Sequence, residues 1–286
     1  MTREILKRTS IVALMLLFAG VFALPSSAHA NSVRVVRDVA YAPPVAGGKH
    51  DLDIYAPRNA AGLPVVIFIH GGGFALGDRS DYAYLGRALA NLGVVAVLPS
   101  YRLIPNTDAN GTIADAAAAV KWTGTHIKTY GGDPTRVILV GHSVGGYLVA
   151  MLALDRKLLA DTGITVRGTL ALSGWDYDVR QVGLGLLAAS SDEVPIFFGS
   201  GEPARAAVSP ITYARKDAAP LVLVCGGDGD EYACFQRGLL VKALSRVGSN
   251  FTIVDDPSAA HLDTVSRLAE RGSVEQSALL RLLDRP

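Results

Sequence analysis

One stretch constrains the fold of this chain more than any other, the segment from Arg136 to Tyr147. It opens with a short apolar run, Val137 to Val140, which is typical of a strand buried on both faces. The next five residues, Gly141-His142-Ser143-Val144-Gly145, follow the pattern G-x-S-x-G, and a helical pattern resumes after them. A strand, a sharp turn and a helix would make Ser143 project from the sheet edge as a nucleophile. Because this pattern also arises by chance, the rest of the chain has to supply a base, an acid and an oxyanion hole.

The first thirty residues predict a secretory signal peptide. Arg3, Lys7 and Arg8 precede an apolar run over residues 11–24, and Ala28-His29-Ala30 fits an A-x-A cleavage motif. The run is short for a bilayer span, so we expect cleavage after Ala30, with an uncleaved N-terminal anchor as the alternative. The remaining chain, residues 31–286, is then expected to be secreted or periplasmic, without a stable membrane span.

Charge and cysteine content exclude several classes of protein. The net charge is +1, and basic residues form no cluster, so neither nucleic acid nor a membrane surface is an expected partner. No group of Cys and His has zinc-site spacing, so no metal is expected. Cys225 and Cys234 are expected at a strand end and a helix start, where an oxidising compartment would permit a disulfide. The sequence leaves that bridge open.

Strand and helix patterns alternate along most of the chain, which predicts an α/β protein with a mostly parallel sheet and helices on both faces. The first two strands read as an antiparallel edge. Residues 173–209 have weak periodicity and read as a cap-like excursion over the active site. Thr112 is expected to open a helix with a capping box, and Gly131 to Pro134 to form a turn. The predicted strands are 33–41, 51–55, 65–69, 94–98, 137–140, 168–172, 221–224 and 251–254, and the predicted helices 81–91, 112–128, 147–155, 235–247, 261–271 and 273–283.

The order of candidate residues after Ser143 fits one class of serine hydrolase, in which the nucleophile is followed by an acid and then by a histidine. His261 follows the last predicted strand and would act as the general base. An acidic turn after the preceding strand offers Asp228, Asp230 and Glu231 as the acid. We favour Asp230, with Asp228 as the alternative and Glu231 third.

A glycine run after an early strand, His70-Gly71-Gly72-Gly73-Phe74, supplies the candidate oxyanion hole. A tetrahedral intermediate needs backbone N–H groups directed at its negative oxygen, and glycines allow the backbone to come close. We expect Gly72, Gly73 and Val144 to donate. A phosphate-binding loop is the other interpretation of such glycines, but the Lys-Ser/Thr sequel and the G-x-G-x-x-G spacing are missing.

These motifs together resemble the α/β-hydrolase fold superfamily. The resemblance rests on His70-Gly-Gly-Gly-Phe, on Tyr130 to Gly146 and on His261-Leu-Asp-Thr-Val, and it covers roughly residues 50–270. The nearest groups are the HGGG-bearing esterases, including carboxylesterase-like, feruloyl-esterase-like and arylformamidase-like proteins. The resemblance implies a single α/β-hydrolase domain over residues 31–286. Its Gly-x-x-Asp turn for the acid supports Asp230, although Gly226 stands where the family often has His.

The function expected from this resemblance is hydrolysis of a small or medium carboxylic ester through a Ser143–His261–Asp230 triad and an acyl-enzyme, without a cofactor. Trp175 and Phe74 are candidate substrate-binding residues, and Tyr177 lies near Trp175 in the chain. The same triad would serve an amide hydrolase of the arylformamidase type or a peptidase. A non-catalytic binding protein on this fold is the remaining alternative. Oligomeric state and natural substrate are not indicated by the sequence.

Overall fold

A single eight-stranded sheet organises the computed structural model, which describes residues 32–44, 49–181 and 193–284. The strand order is β1-β2-β4-β3-β5-β6-β7-β8. β2 runs antiparallel to β1 and to β4, and the other neighbouring pairs are parallel. The predicted mostly parallel sheet with an antiparallel edge is confirmed. The strands are β1 (Val33–Ala40), β2 (Asp51–Pro57), β3 (Leu63–Ile69), β4 (Val95–Pro99), β5 (Gly132–His142), β6 (Val166–Leu172), β7 (Leu221–Cys225) and β8 (Phe251–Asp255).

Helices cover both faces of this sheet, as the alternation of strands and helices predicts. They are α1 (Ala83–Asn91), α2 (Ala109–His126), α3 (Val144–Leu154), α4 (Glu193–Phe198), α5 (Glu202–Ala207), α6 (Glu231–Val247), α7 (Asp263–Ser266) and α8 (Val274–Leu283). Residues of α2, α3 and α6 share one hydrophobic core, and residues of α1 and α8 share the other. The signal peptide predicted for residues 1–30 lies outside the described residues.

The central strands bury both faces because successive side chains point to opposite sides. In β3, Val65, Ile67 and Ile69 enter the core beneath α2, α3 and α6. Val66 and Phe68 enter the core beneath α1 and α8. Every residue of α3 is buried, which agrees with its apolar sequence on all sides. This burial fixes the start of α3, where Ser143 lies.

Two local predictions are wrong. α2 begins at Ala109, because the side chain of Asp108 accepts the N–H of Gly111 at 2.9 Å. Thr112 lies inside the helix, and its hydroxyl donates back to the carbonyl of Asp108 at 3.2 Å, so it forms no capping box. The turn predicted for residues 131–134 ends at Gly131, which has a φ of 88°. β5 begins at Gly132, because pairing with Leu63 of β3 extends the strand through Pro134.

The predicted cap-like excursion contains α4 and α5, and its residues 182–192 lie outside the described residues. α6 begins four residues earlier than its pattern indicates, so that Cys234 lies in its first turn and Asp230 immediately precedes it. None of the helices within residues 32–44, 49–181 and 193–284 is long and apolar enough to cross a bilayer.

Two helical glycines separate the effect of packing from the effect of helix propensity. In α6, nothing lies within 4 Å of a Cβ added at Gly238, so Gly238→Ala should raise the free energy of unfolding by about 0.5–1 kcal/mol. In α1, a Cβ added at Gly86 would overlap the buried ring of Tyr55. We expect Gly86→Ala to lower the free energy of unfolding by about 1–3 kcal/mol in urea titrations. Stabilisation by both substitutions would contradict this account of the packing between α1 and β2.

Candidate active site

Ser143 occupies a sharp turn between β5 and α3. Its backbone has φ 57° and ψ −123°, a conformation that is rare for a residue with a side chain. The N–H of Ser143 donates to the carbonyl of Leu172 at 2.9 Å, which ties the turn to β6. A Cβ added at Gly141 would overlap the carbonyl of Gly145, and one added at Gly145 would overlap the carbonyl of Ile69. Both positions therefore require glycine, as the nucleophile pattern predicts.

The candidate acid and base lie in direct contact. Oδ1 of Asp230 is 2.6 Å from Nδ1 of His261, and the Asp230 side chain is completely buried. Asp228 is exposed on the same turn. Glu231 is also exposed, and its carboxylate accepts the N–H of Gly229 at 3.1 Å. Of the three carboxylates that the sequence offers, the structure brings Asp230 to the histidine.

Hydrogen bonds keep the carboxyl group of Asp230 in its charged form. Burial by itself would raise the pKa of Asp230, but the hydrogen bonds from His261, Ser173 and Gly226 outweigh it and hold that pKa below its usual value. The Ser173 hydroxyl donates to Oδ2 at 2.7 Å, and the N–H of Gly226 donates to the same oxygen at 2.6 Å. Both oxygens of Asp230 thus accept hydrogen bonds, Oδ1 from His261 and Oδ2 from Ser173 and Gly226.

Ser173 and Thr264 are site residues that sequence reasoning missed. Oγ1 of Thr264 lies 2.9 Å from Oγ of Ser173 and 3.0 Å from the carbonyl of His261. The two hydroxyls therefore connect the acid to the backbone of the histidine. The signal available for Ser173 was its position directly after a buried strand, at the edge where parallel sheets place their sites.

His142 contacts the same backbone carbonyl of His261 as Thr264 does. It is completely buried, and its Nε2 lies 2.9 Å from the carbonyl of His261. Burial, assisted by the nearby charge of His261, lowers the pKa of His142 to about 3. The imidazole is consequently neutral, with Nε2–H donating to that carbonyl. His142 thus helps to hold the backbone of the candidate base in position.

The His70–Phe74 segment packs against the nucleophile turn. A Cβ added at Gly71 would lie 3.0 Å from the Cβ of Ser143, so the two backbones approach closely. Within the described residues, the N–H groups of Gly72 and Gly73 make no backbone hydrogen bond, and Val144 is the first residue of α3, so its N–H has no partner within the helix. Donation by these three N–H groups to an oxyanion stays a prediction.

His70 fixes the start of this segment. Burial lowers the pKa of His70 to about 4, and its Nδ1 lies 2.7 Å from the carbonyl of Gly71. Its ring stacks on Tyr101 with centroids 4.3 Å apart, and the Tyr101 hydroxyl donates to the carbonyl of His70 at 2.8 Å. The glycines that follow are therefore held at a defined position.

The two candidate substrate-binding residues have different surroundings. The ring of Trp175 lies 4.9 Å from that of His261, and its backbone N–H donates to the carbonyl of Ser143 at 3.2 Å. Phe74 is completely buried among the rings of Tyr147, Phe197 and Phe198. Contact of either residue with a substrate stays a prediction.

Within the described residues, the hydroxyl of Ser143 forms no hydrogen bond with His261. Trp175 contacts both Ser143 and His261, and His142, which directly precedes Ser143, contacts His261 as well. In enzymes without a bound substrate this catalytic hydrogen bond is often long and tightens when the substrate binds.

Cys225 and Cys234 form a disulfide, with their Cα atoms 5.5 Å apart. Together with Asp230 they are the group of potential metal ligands found among the described residues. Because the two sulfur atoms are bonded to each other and both oxygens of Asp230 accept hydrogen bonds, this group does not present free ligands. The bridge that the sequence leaves open is present in the structure.

The two buried histidines His70 and His142 should make the stability of the fold depend on pH. The pKa values of His70 and His142 are lowered to about 4 and about 3 from 6.5, so the unfolded chain binds protons that the native state excludes. Stability that is present above pH 6.5 is therefore lost as the pH falls towards these values. At pH 5 each of these histidines should lower the free energy of unfolding by about 2 kcal/mol relative to pH 8. His142→Gln keeps a donor without the titration, so urea unfolding should show a smaller loss between pH 8 and pH 5. An equal loss in the variant would contradict the assignment.

Known proteins with sequences similar to this chain are esterases. Residues 51–168 match the model of the carboxylesterase family. The chain is 35% identical over 111 residues to a probable isoprenylcysteine alpha-carbonyl methylesterase of Oryza sativa, covering 38% of this chain and 26% of that protein. It is 39% identical over 103 residues to a carboxylesterase of Mycobacterium tuberculosis, covering 35% and 31%. The chain thus spans about a quarter to a third of the length of these relatives.

A solved structure agrees over most of the chain. Esterase B of Lactobacillus rhamnosis has a TM-score of 0.72 at 23% identity, covering 89% of this chain and 86% of that one. At this level of identity the likeness concerns the fold. The α/β-hydrolase fold expected from the sequence is confirmed.

Proposed function

We propose that this chain, an α/β-hydrolase of the carboxylesterase type, hydrolyses carboxylic esters with Ser143 as nucleophile, His261 as general base and Asp230 as the acid. The observation that carries the proposal is the contact of 2.6 Å between the buried Asp230 and His261, beside a serine held at φ 57°. This contact supports the acid and base roles of a serine triad, which is recognised by geometry whatever the chain order.

In the first half of the proposed reaction, the Ser143 hydroxyl attacks the ester carbonyl carbon and His261 accepts its proton. The carbonyl oxygen becomes an oxyanion, which accepts hydrogen bonds from the N–H groups of Gly72, Gly73 and Val144. One such donor is typically worth about 10²–10³ in turnover. Collapse of the tetrahedral intermediate expels the alcohol, which takes the proton from His261, and an acyl-enzyme on Ser143 remains.

In the second half, His261 removes a proton from water, which attacks the acyl carbonyl. The same three N–H groups stabilise the second oxyanion, and Ser143 leaves with the proton returned by His261. Asp230 stabilises the protonated histidine in both halves and holds its Nδ1–H in place. His142 and Thr264 keep the backbone of His261 at the required distance.

The chain segments around the site support an ester with an apolar part. Three large apolar side chains are exposed, Leu76 at 66%, Leu262 at 70% and Ile196 of α4 at 78%. Leu262 adjoins His261, and Leu76 follows the oxyanion loop by three residues. We propose a small or medium ester whose apolar group lies against these side chains. The rice relative is named as a methylesterase, which supports including methyl esters among the substrates tested.

We also propose that the protein is exported and cut after Ala30, giving a secreted or periplasmic enzyme. The support is the basic, apolar and A-x-A order of residues 1–30. Mass spectrometry of the protein recovered from the exported fraction should find an N-terminus at Asn31. A full-length chain retained in the cell membrane would contradict cleavage.

A series of p-nitrophenyl esters from acetate to decanoate tests the esterase proposal. We expect hydrolysis with a preference for the short and medium acyl groups, and a loss of about 10⁶ in turnover for Ser143→Ala. A matched series of p-nitroanilides, which contain the amide bond, should react far more slowly. Hydrolysis of no ester, or equal rates for wild type and Ser143→Ala, would overturn the proposal.

The acid is tested by a matched pair on the same turn. Asp230→Asn should lose roughly 10⁴ in turnover, because the amide cannot hold the histidine in the required tautomer. Asp228→Asn should retain nearly all activity, because Asp228 is exposed. Equal, mild losses in the two variants would contradict the assignment of Asp230.

A further inference from the structure

The disulfide brackets the catalytic acid. Cys225 is the last residue of β7, Cys234 lies in the first turn of α6, and Asp230 immediately precedes that helix. The bond between the two sulfur atoms closes the turn that carries Asp230. Among the described residues, both cysteines thus belong to the element that positions the acid.

Asp230 is the N-cap residue of α6, but its side chain does not cap the helix. It stands at the N-cap of α6, where an aspartate normally accepts an N–H of the first helical turn. Within the described residues its side chain makes no such bond, because Oδ1 faces His261 and Oδ2 accepts from Ser173 and Gly226. The start of α6 therefore lacks the cap that would otherwise fix the backbone of Asp230.

The turn is rich in glycine, and the N–H of Asp230 donates across it to the carbonyl of Gly227 at 3.0 Å. It includes Gly226, Gly227 and Gly229, and Gly229 has a φ of 81°. Asp228 and Gly229 are exposed. Glycine has more conformational freedom than any other residue, so fixing such a turn in one conformation costs more entropy than fixing an ordinary turn. A covalent bond between its two ends removes part of that freedom.

The turn is also connected to the segment that carries the base. The N–H of Gly227 donates to the carbonyl of Ala259 at 2.7 Å, and the carbonyl of Cys225 accepts the N–H of Asp256 at 3.0 Å. Displacement of the turn would therefore move Asp230 relative to His261 and disturb the backbone that precedes His261.

We propose that the Cys225–Cys234 disulfide is a positioning device for Asp230 and makes the turnover of this enzyme depend on thiol oxidation. The inference rests on the proposed triad. Reduction by a dithiol such as dithiothreitol transfers two electrons and two protons to the disulfide, which gives two cysteine thiols and the cyclic disulfide of the reductant. The enzyme is active with the bridge closed and weakly active with it open.

The first test removes the bridge by substitution. Cys225→Ser/Cys234→Ser should lose about tenfold to hundredfold in kcat, because a misplacement of about 1 Å has that effect on catalysis. KM should change little, since neither cysteine is among the proposed substrate-binding residues. Each single variant lacks the same bridge and should match the double variant. A loss in only one of them would overturn the proposal, because the effect would belong to that side chain.

The decisive test is a double-mutant cycle with Asp230→Asn. If the bridge acts through Asp230, its removal should have almost no further effect on kcat once the acid is an amide. If the bridge acts independently of Asp230, its removal should reduce kcat by the same factor in both backgrounds, and if it only stabilises the fold, kcat should not change in either; both results would show the proposal to be wrong. All rates are measured well below the thermal midpoint of each variant, determined by calorimetry.

The redox test uses the wild-type protein. Thiol titration of the unfolded, unreduced protein should find no free thiol, and two should appear after dithiothreitol treatment. The reduced enzyme should lose kcat by the factor seen in the double variant and recover on reoxidation, while the double variant should not respond to dithiothreitol. An active wild type with no response to reduction would overturn this inference alone. A wild type without esterase activity would instead overturn the proposed function.

Discussion

The backbone of Ser143 is the constraint on which the rest of the site depends. A residue with a side chain at φ 57° stores about 1–3 kcal/mol of strain, and it persists only when its surroundings fix it. Here β5 enters the turn from the centre of the sheet, and α3 leaves it as a helix buried on all sides. The N–H of Ser143 is bonded to Leu172, and its carbonyl accepts the N–H groups of Gly146 and Trp175. The two hydrophobic cores therefore determine where the nucleophile stands.

This dependence explains which features could be read from the sequence. The turn at Ser143 and the glycines at 71–73 are local patterns, because close backbone approach demands glycine at particular positions in the chain. Strands buried on both faces are continuous apolar runs, so their existence and order were predictable. Element ends were less so. Thr112 has the residue type of a helix cap, yet Asp108 competes for the same role and the helix begins there.

The acid and its supports show what local patterns do not contain. Three carboxylates occupy the acidic turn, and their chemistry is nearly identical. What distinguishes Asp230 is burial against His261, a contact between segments 31 residues apart. The partners of His142 and Thr264 are more distant still, at separations of 119 and 91 residues. Such hydrogen bonds depend on how the strands are ordered in the sheet, and residue type alone does not indicate them.

The position of Asp230 also illustrates how its proposed catalytic role competes with local stability. A helix start is usually fixed by its N-cap side chain, and losing such a cap costs roughly 0.5–2 kcal/mol. Asp230 directs its carboxylate to His261 instead, so the turn before α6 lacks the side-chain cap that would ordinarily fix its geometry. Three other contacts hold this turn in the absence of a cap: the N–H of Gly226 to Asp230, the N–H of Gly227 to Ala259, and the Cys225–Cys234 bond. The contact of Gly227 and the disulfide hold the turn through its backbone and its ends, which leaves Oδ1 of the acid to the histidine, while the N–H of Gly226 shares Oδ2 with Ser173.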